Sequence, residues 1–255
     1  MRKTLLILVF ISLVLPQTSS GWGKTGHRVV GQIAYNHMTK KARKNIQKFL
    51  GNESLANAGN WMDFIRSDKD YDHQTPWHYC TIPDSLTYEE AGAPEEGDVI
   101  IALEKIIGEL KSKNFSENEL WAIRCLAHLI ADIHQPLHVG NGKDRGGNDL
   151  KLKYMYQNSN LHRVWDSGMI DHQQLSFTEY TATIDFATPS QVEQWQKVGV
   201  REWALESKSY REQVYEIPED KFLTYKYTFD NIETVNLRLL QAGIRLAGIL
   251  NDIYG

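Results

Sequence analysis

Two copies of one spacing, His128 with Asp132 and His162 with Asp166, constrain this chain more than any other feature. Residues four apart share one face of a helix, so each pair sets an imidazole beside a carboxylate. The first pair lies among Leu126, Leu129, Ile130 and Ile133, which would bury the helix on its other sides. A buried carboxylate facing an imidazole is costly unless a cation compensates both. Pro136 ends this helix, because the residue before a proline avoids helical angles, and His138 follows on the exit. Three groups able to bind a transition metal are thus aimed at one small volume. Imidazole and carboxylate together suit zinc better than calcium or magnesium. The plainer reading is a capped, salt-bridged helix end; repetition of the spacing in Leu-His-Arg-Val-Trp-Asp weighs against it.

The periodicity is helical nearly throughout. It predicts helices over 26–37, 40–50, 55–66, 97–113, 117–134, 161–174, 189–212 and 229–254. Thr39 is the expected cap of the second, and Ser116 with Glu119 the expected capping box of the fifth. Leu150 to Tyr156 alternates apolar and polar residues and is the one good strand candidate. Loops are expected at 67–76, 82–97 and 139–149. Nothing argues for two domains.

The N-terminus reads as a secretory signal: Met1-Arg2-Lys3, an apolar run from Leu5 to Leu15, then Pro16 to Gly21 with small residues at Ser19 and Gly21. Cleavage there leaves a mature domain of residues 22–255, and the apolar run is short for a bilayer span. Of 28 basic and 32 acidic residues, the signal carries Arg2 and Lys3 and no acid, so the mature chain is more acidic still. Nucleic-acid binders that rely on Lys and Arg are usually basic. Any polyanion handled here must therefore be drawn by something else. Cys80 and Cys125, the only cysteines, are too few for a disulfide scaffold; two buried free thiols are expected, with a single bridge between them as the alternative. Of the nine histidines, His37, His73, His134 and His172 have no acidic partner at ligand spacing, and His27 and His78 are also lone in local sequence.

Six motifs in order carry a resemblance: Trp-Gly-x-x-Gly-His, Trp-x-Asp-x-x-Arg, Trp-His-Tyr, His-x3-Asp-x5-His, Gly-Gly-Asn and His-x3-Asp. The chain resembles the single-strand-specific zinc nucleases of fungi, plants and bacteria. The resemblance implies their all-α, single-domain fold, shared with bacterial zinc phospholipases C, with a small β-hairpin or irregular loops. It implies three Zn²⁺ per chain. Asp63, His78, His128 and Asp132 would hold the first, and His138, His162 and Asp166 the second. His27, Asp132 and the Trp22 backbone, through a free α-amine and the carbonyl, would hold the third. The resemblance also places Asp63, Arg66 and Asn148 in catalysis, Arg66 and Asn148 gripping the phosphate. Tyr79 would offer a ring to a base. Where several family members have an Asp contacting the base, this chain has Thr81, with Asp84 further on. The cysteines do not sit where eukaryotic members place disulfides. Asn52 and Asn114 fit the Asn-x-Ser glycosylation pattern.

Three divalent ions against three carboxylates would make the pocket cationic within an acidic protein. The expectation is a secreted or periplasmic endonuclease on single-stranded DNA and RNA, leaving 5′-phosphates and removing 3′-phosphates from nucleotides. It is expected to act as a monomer without stable membrane association. A zinc phospholipase C and a non-catalytic exported zinc-binding protein are the alternatives.

Overall fold

The structure is a computed structural model that describes residues 22–255; the expected signal segment lies outside the described residues. Helix α1 (Lys24–His37) runs into α2 (Lys40–Leu50), whose first turn is capped by the Thr39 hydroxyl accepting from the Ala42 N–H. The helix expected over 55–66 is broken into α3 (Leu55–Ala58) and α4 (Trp61–Ile65) at Gly59 and Asn60. A 3₁₀ segment, Lys69–His78, occupies most of what reads as loop in the sequence. After the short α5 (Tyr88–Ala91), two long helices follow: α6 (Val99–Ser112), capped by Asp98, and α7 (Glu119–Ile133). Asn118, not Ser116, caps α7, accepting from the Trp121 N–H at 2.9 Å. Glu119 is drawn away to the Tyr254 hydroxyl, so the expected capping box does not form.

The second half begins with α8 (Leu161–Arg163), a π turn at Val164–Gly168 and α9 (Met169–Asp171), which together form one helical stretch. Then come α10 (Phe177–Ile184) and α11 (Pro189–Gln196), each opened by a capping box. The run expected as one helix over 189–212 breaks at Gly199 and continues as α12 (Val200–Ser209) and α13 (Arg211–Val214). Helix α14 (Tyr225–Tyr254) closes the chain.

The core lies between α1, α7 and α14. Helix α14 crosses α1 at Gly243, where a Cβ would come within 2.5 Å of Ile33 Cβ, so only glycine allows this approach. Leu239, Ile244 and Leu250 are fully buried against it. Strand content is small. Strand β1 (Cys80–Thr81) pairs in parallel with β2 (Val139–Gly140). Strand β3 (Lys151–Tyr154) forms a hairpin with β4 (Gln157–Asn160) and pairs in parallel with β5 (Phe222–Leu223). The molecule is thus mostly helical with a small hairpin, as expected. No described helix is long and apolar enough to cross a membrane. Cys80 and Cys125 are buried free thiols.

Candidate metal centre

The predicted ligands come from α7 itself and from helix ends and short irregular segments, of which α1, α4 and the segments ending in His78 and His138 pack on α7. His27 lies in the first turn of α1, and Asp63 on α4. His78 closes the 3₁₀ segment, and His128 and Asp132 share a face of α7. His138 closes a second 3₁₀ turn, Pro136–His138. The β1–β2 ladder pairs Cys80 with Val139 and so ties the exit of His78 to the exit of His138. The buried Arg211 guanidinium reinforces that tie by donating to the carbonyls of Ile82 and Val139. His162 stands on α8, and Asp166 on the π turn that follows; such wide turns recur at functional sites.

The side chains converge into three groups, each with ligand atoms within 4.8 Å of one another: His27, His128 and Asp132; Asp63, His78 and His128; His138, His162 and Asp166. Asp132 Oδ2 lies 3.0 Å from His78 Nδ1 and 3.1 Å from His128 Nε2. His162 Nε2 stands 3.1 Å from Asp166 Oδ2, and His138 Nε2 3.7 Å from Asp166 Oδ1. His27 stacks on His128 with ring centroids 4.0 Å apart, which draws His128 into two of the groups.

The outer ring nitrogens show what the inner ones are for. His128 Nδ1 donates to the Gly59 carbonyl at 2.7 Å, His162 Nδ1 to the Gly146 carbonyl at 2.7 Å, and His138 Nδ1 to the His78 carbonyl at 2.5 Å. A carbonyl only accepts, so in each ring Nδ1 carries the proton and Nε2 turns a lone pair inward. That is how metal-binding imidazoles are oriented. The break between α3 and α4 leaves the Gly59 carbonyl available for this role. Gly146, at φ +61°, could carry no side chain, since a Cβ would come within 2.2 Å of the Leu137 carbonyl oxygen.

Several of the inner atoms lack partners. Both His27 nitrogens, Asp63 Oδ1, Asp132 Oδ1, His138 Nε2 and Asp166 Oδ2 are buried without a hydrogen bond. Buried polar atoms are nearly always paired, so orphans gathered in all three groups fit bound cations. The carboxylates create a demand for positive charge: against the opposing effect of burial, Asp132 and Asp63 raise His128, and Asp132 and Asp166 push His138 up to about 9. Burial alone would raise the Asp132 carboxyl, but His128, His138 and His78 together hold it well below the ordinary carboxylate range. Burial keeps His27 and His78 below the ordinary imidazole value, in the neutral form a metal needs. The donor set is hard and intermediate, nitrogen and oxygen only, as zinc accepts.

A cavity of about 400 Å³ opens on this centre. Arg66, Tyr79 and Asn148 line it together with His78, His138 and His162, and Tyr79 is half-exposed there. Thr81 lines the same cavity. Asp84 does not; it pairs with Lys143 and Arg211 in the neighbouring cleft. The Trp22–Gly23 peptide also reaches the centre: the Gly23 N–H donates to the Asp166 carbonyl at 2.7 Å, and Trp22 is fully buried.

One site residue escapes the spacing argument. Gln135, fully buried, donates from Nε2 to Asp166 Oδ1 at 2.5 Å and accepts from the Leu137 N–H. Its position between His128 and His138 in the sequence was the available signal. The remaining histidines lie outside the three groups: His37 pairs with Asp185, and His134 with Arg245.

The S1/P1 nuclease family model matches residues 22–255. Endonuclease 2 of Arabidopsis thaliana is 26% identical over 98% of this chain and 96% of its own. Nuclease P1 of Penicillium citrinum is 26% identical over 92% of this chain and 98% of its own. Nuclease S1 of Aspergillus oryzae is 30% identical over 62% and 58%.

Proposed function

The chain belongs to the S1/P1 nuclease family, and from that premise we propose that it is an exported, zinc-dependent endonuclease on single-stranded DNA and RNA. The observation that carries the zinc reading is the set of buried, unpartnered nitrogen and oxygen atoms converging on Asp132 and Asp166. We assign three zinc sites: Asp63, His78, His128 and Asp132; His138, His162 and Asp166; and His27 and Asp132 with the amine and carbonyl of a mature N-terminal Trp22. Zinc bound there would polarise the phosphate, lower the pKa of a water molecule toward neutrality and offset charge on the departing 3′-oxygen.

The chain's own residues supply the rest. His128, His138 and His162 are held in register by backbone carbonyls, which keeps their lone pairs aimed inward. Arg66 donates a fork of N–H groups to the phosphate oxygens as charge builds on them. The Asn148 amide, which lines the same cavity, binds the same phosphate. Tyr79 stacks on a base, a contact open only to unpaired bases, and this accounts for single-strand preference. Cleavage of the phosphorus–3′-oxygen bond leaves a 5′-phosphate, and the same geometry serves a terminal 3′-phosphate. Thr81 in place of an acid leaves the base position without a carboxylate to read N–H donors.

The test uses protein that begins at Trp22, with zinc counted by mass spectrometry. Substrates are single-stranded and duplex DNA, RNA, a 3′-nucleotide and phosphatidylcholine vesicles. Three zincs per chain, cleavage of the single strands to 5′-phosphate ends and release of phosphate from the nucleotide are expected. Hydrolysis of lipid alone, or fewer than two zincs per chain, sinks the reading.

A further inference from the structure

The β4–β3–β5 sheet takes no part in the chemistry above. Leu152, Tyr154 and Leu223 are buried on its inner side, so alternation turns Lys151 and Lys153 to solvent. Phe222 pairs with Lys153 in register and lies beside it. The β3–β4 hairpin turns through Met155 and Tyr156, at φ +46° and +67°. Asn-Gly is the usual choice in such a turn, because bulky side chains strain there. Strain of this kind gathers at functional positions. Here it projects Tyr156, 80% exposed, with its ring centroid 4.9 Å from that of Phe222.

These residues line a shallow groove of about 540 Å³, in which Lys151, Lys153 and Lys221 outnumber one acid, Asp220. The lining of this groove is tied to that of the catalytic cavity by the chain and by one hydrogen bond. Lys151 Nζ donates to the carbonyl of Asn148, which lines that cavity, and β4 returns from the hairpin tip to His162.

We propose that this sheet face binds the nucleotides flanking the scissile phosphate of a single-stranded polynucleotide. The lysines would follow the backbone, and Tyr156 with Phe222 would stack an unpaired base. The proposal rests on the nuclease reading. An anionic membrane would also suit lysines and aromatics, but the Lys151 bond to Asn148, which lines the phosphate-gripping cavity, favours a polynucleotide.

The test compares kcat/KM on a single-stranded 20-mer with kcat/KM on a dinucleotide, in the wild type and in Tyr156→Ala/Lys153→Glu. Both side chains are exposed, so folding is spared. The 20-mer to dinucleotide ratio should fall roughly ten-fold or more, the scale of one lost base stack. Anisotropy of a hydrolysis-resistant phosphorothioate 20-mer should show weaker binding with a shallower salt dependence. An unchanged ratio with unchanged binding overturns the proposal. So does loss of binding to anionic vesicles with oligonucleotide binding intact. If the wild type cleaves no nucleic acid, the nuclease reading falls, and anisotropy still decides whether this face binds single strands.

Discussion

Asp132 Oδ1 lies 3.4 Å from His27 Nε2, and neither atom has a hydrogen-bond partner. The other oxygen of the same carboxylate faces His78 and His128. One carboxylate therefore faces His27 on one side and His78 with His128 on the other, as a ligand shared between two of the proposed zinc sites would. Asp132→Ala should cost more activity than loss of any other single ligand, beyond the roughly 10–100-fold that follows loss of an outer partner. Its zinc content, counted by mass spectrometry, should fall by more than one ion per chain. A variant that keeps its full complement would show that Asp132 does not bridge.

Gln135 predicts a subtler effect. Its amide fixes one oxygen of Asp166 while its carbonyl oxygen accepts from the Leu137 N–H, so the His138 turn and the Asp166 turn are held by one side chain. Gln135→Leu keeps the volume and removes both bonds. Zinc affinity at the His138, His162 and Asp166 group should weaken roughly 10–100-fold, read by competition with a chelator, with the fold intact by circular dichroism. Equal affinity in the two proteins would assign Gln135 to packing alone.

What the sequence disclosed follows from range. His128 with Asp132 and His162 with Asp166 are legible because four-residue spacing is a local property of a helix. His27, Asp63 and His78 are lone in local sequence; only the order of motifs pointed to them. They reach the centre through contacts such as the pairing of Cys80 with Val139, which no periodicity records. The Gly59 carbonyl lies 69 residues from the ring it orients, and Gln135 lies 31 residues from Asp166. Helix existence was legible for the long amphipathic runs. Breaks at Gly59 and Gly199 were not, because one glycine within a periodic pattern is tolerated as often as it interrupts. Helix α10 has only eight residues, too few to establish a period. Ser116 failed as a cap because Asn118 stands nearer the first buried turn and takes the Trp121 N–H instead.

Behind the metal helix, Glu206 accepts from both Arg238 and Arg245, whose side chains are fully buried, and Arg245 also donates to His134 at the end of α7. Burial would raise the Glu206 carboxyl, but Arg245 and Arg238 together hold it below its ordinary value. A carboxyl depressed in the folded state adds stability above its unfolded pKa of about 4.3, and that stability is lost as pH falls through the folded value. Glu206→Gln leaves two buried guanidiniums without a countercharge and should cost about 3 kcal/mol at neutral pH. The gap between wild type and variant, measured by urea unfolding, should narrow as pH is lowered from 6 toward 3. A gap that stays constant over that range would mean the carboxylate charge is not what holds the network.

The chain end offers the sharpest prediction. Trp22 is fully buried, and the Gly23 N–H is bonded to the Asp166 carbonyl, so the Trp22–Gly23 peptide is held beside the candidate metal centre. If Trp22 is the mature N-terminus, its amine and carbonyl can close a five-membered chelate with the ion that His27 and Asp132 face. One extra Met before Trp22 turns that amine into an amide, whose nitrogen lone pair is delocalised and a poor zinc ligand. The extended protein should keep the ion at His138, His162 and Asp166, lose one ion per chain by mass spectrometry, and lose roughly 100-fold or more in turnover on single-stranded DNA. The side-chain ligands are unchanged in this form, so the deficit isolates the terminus. Full turnover with three zincs in the extended protein would show that the terminal chelate is dispensable and that export cleavage plays no part in building the site.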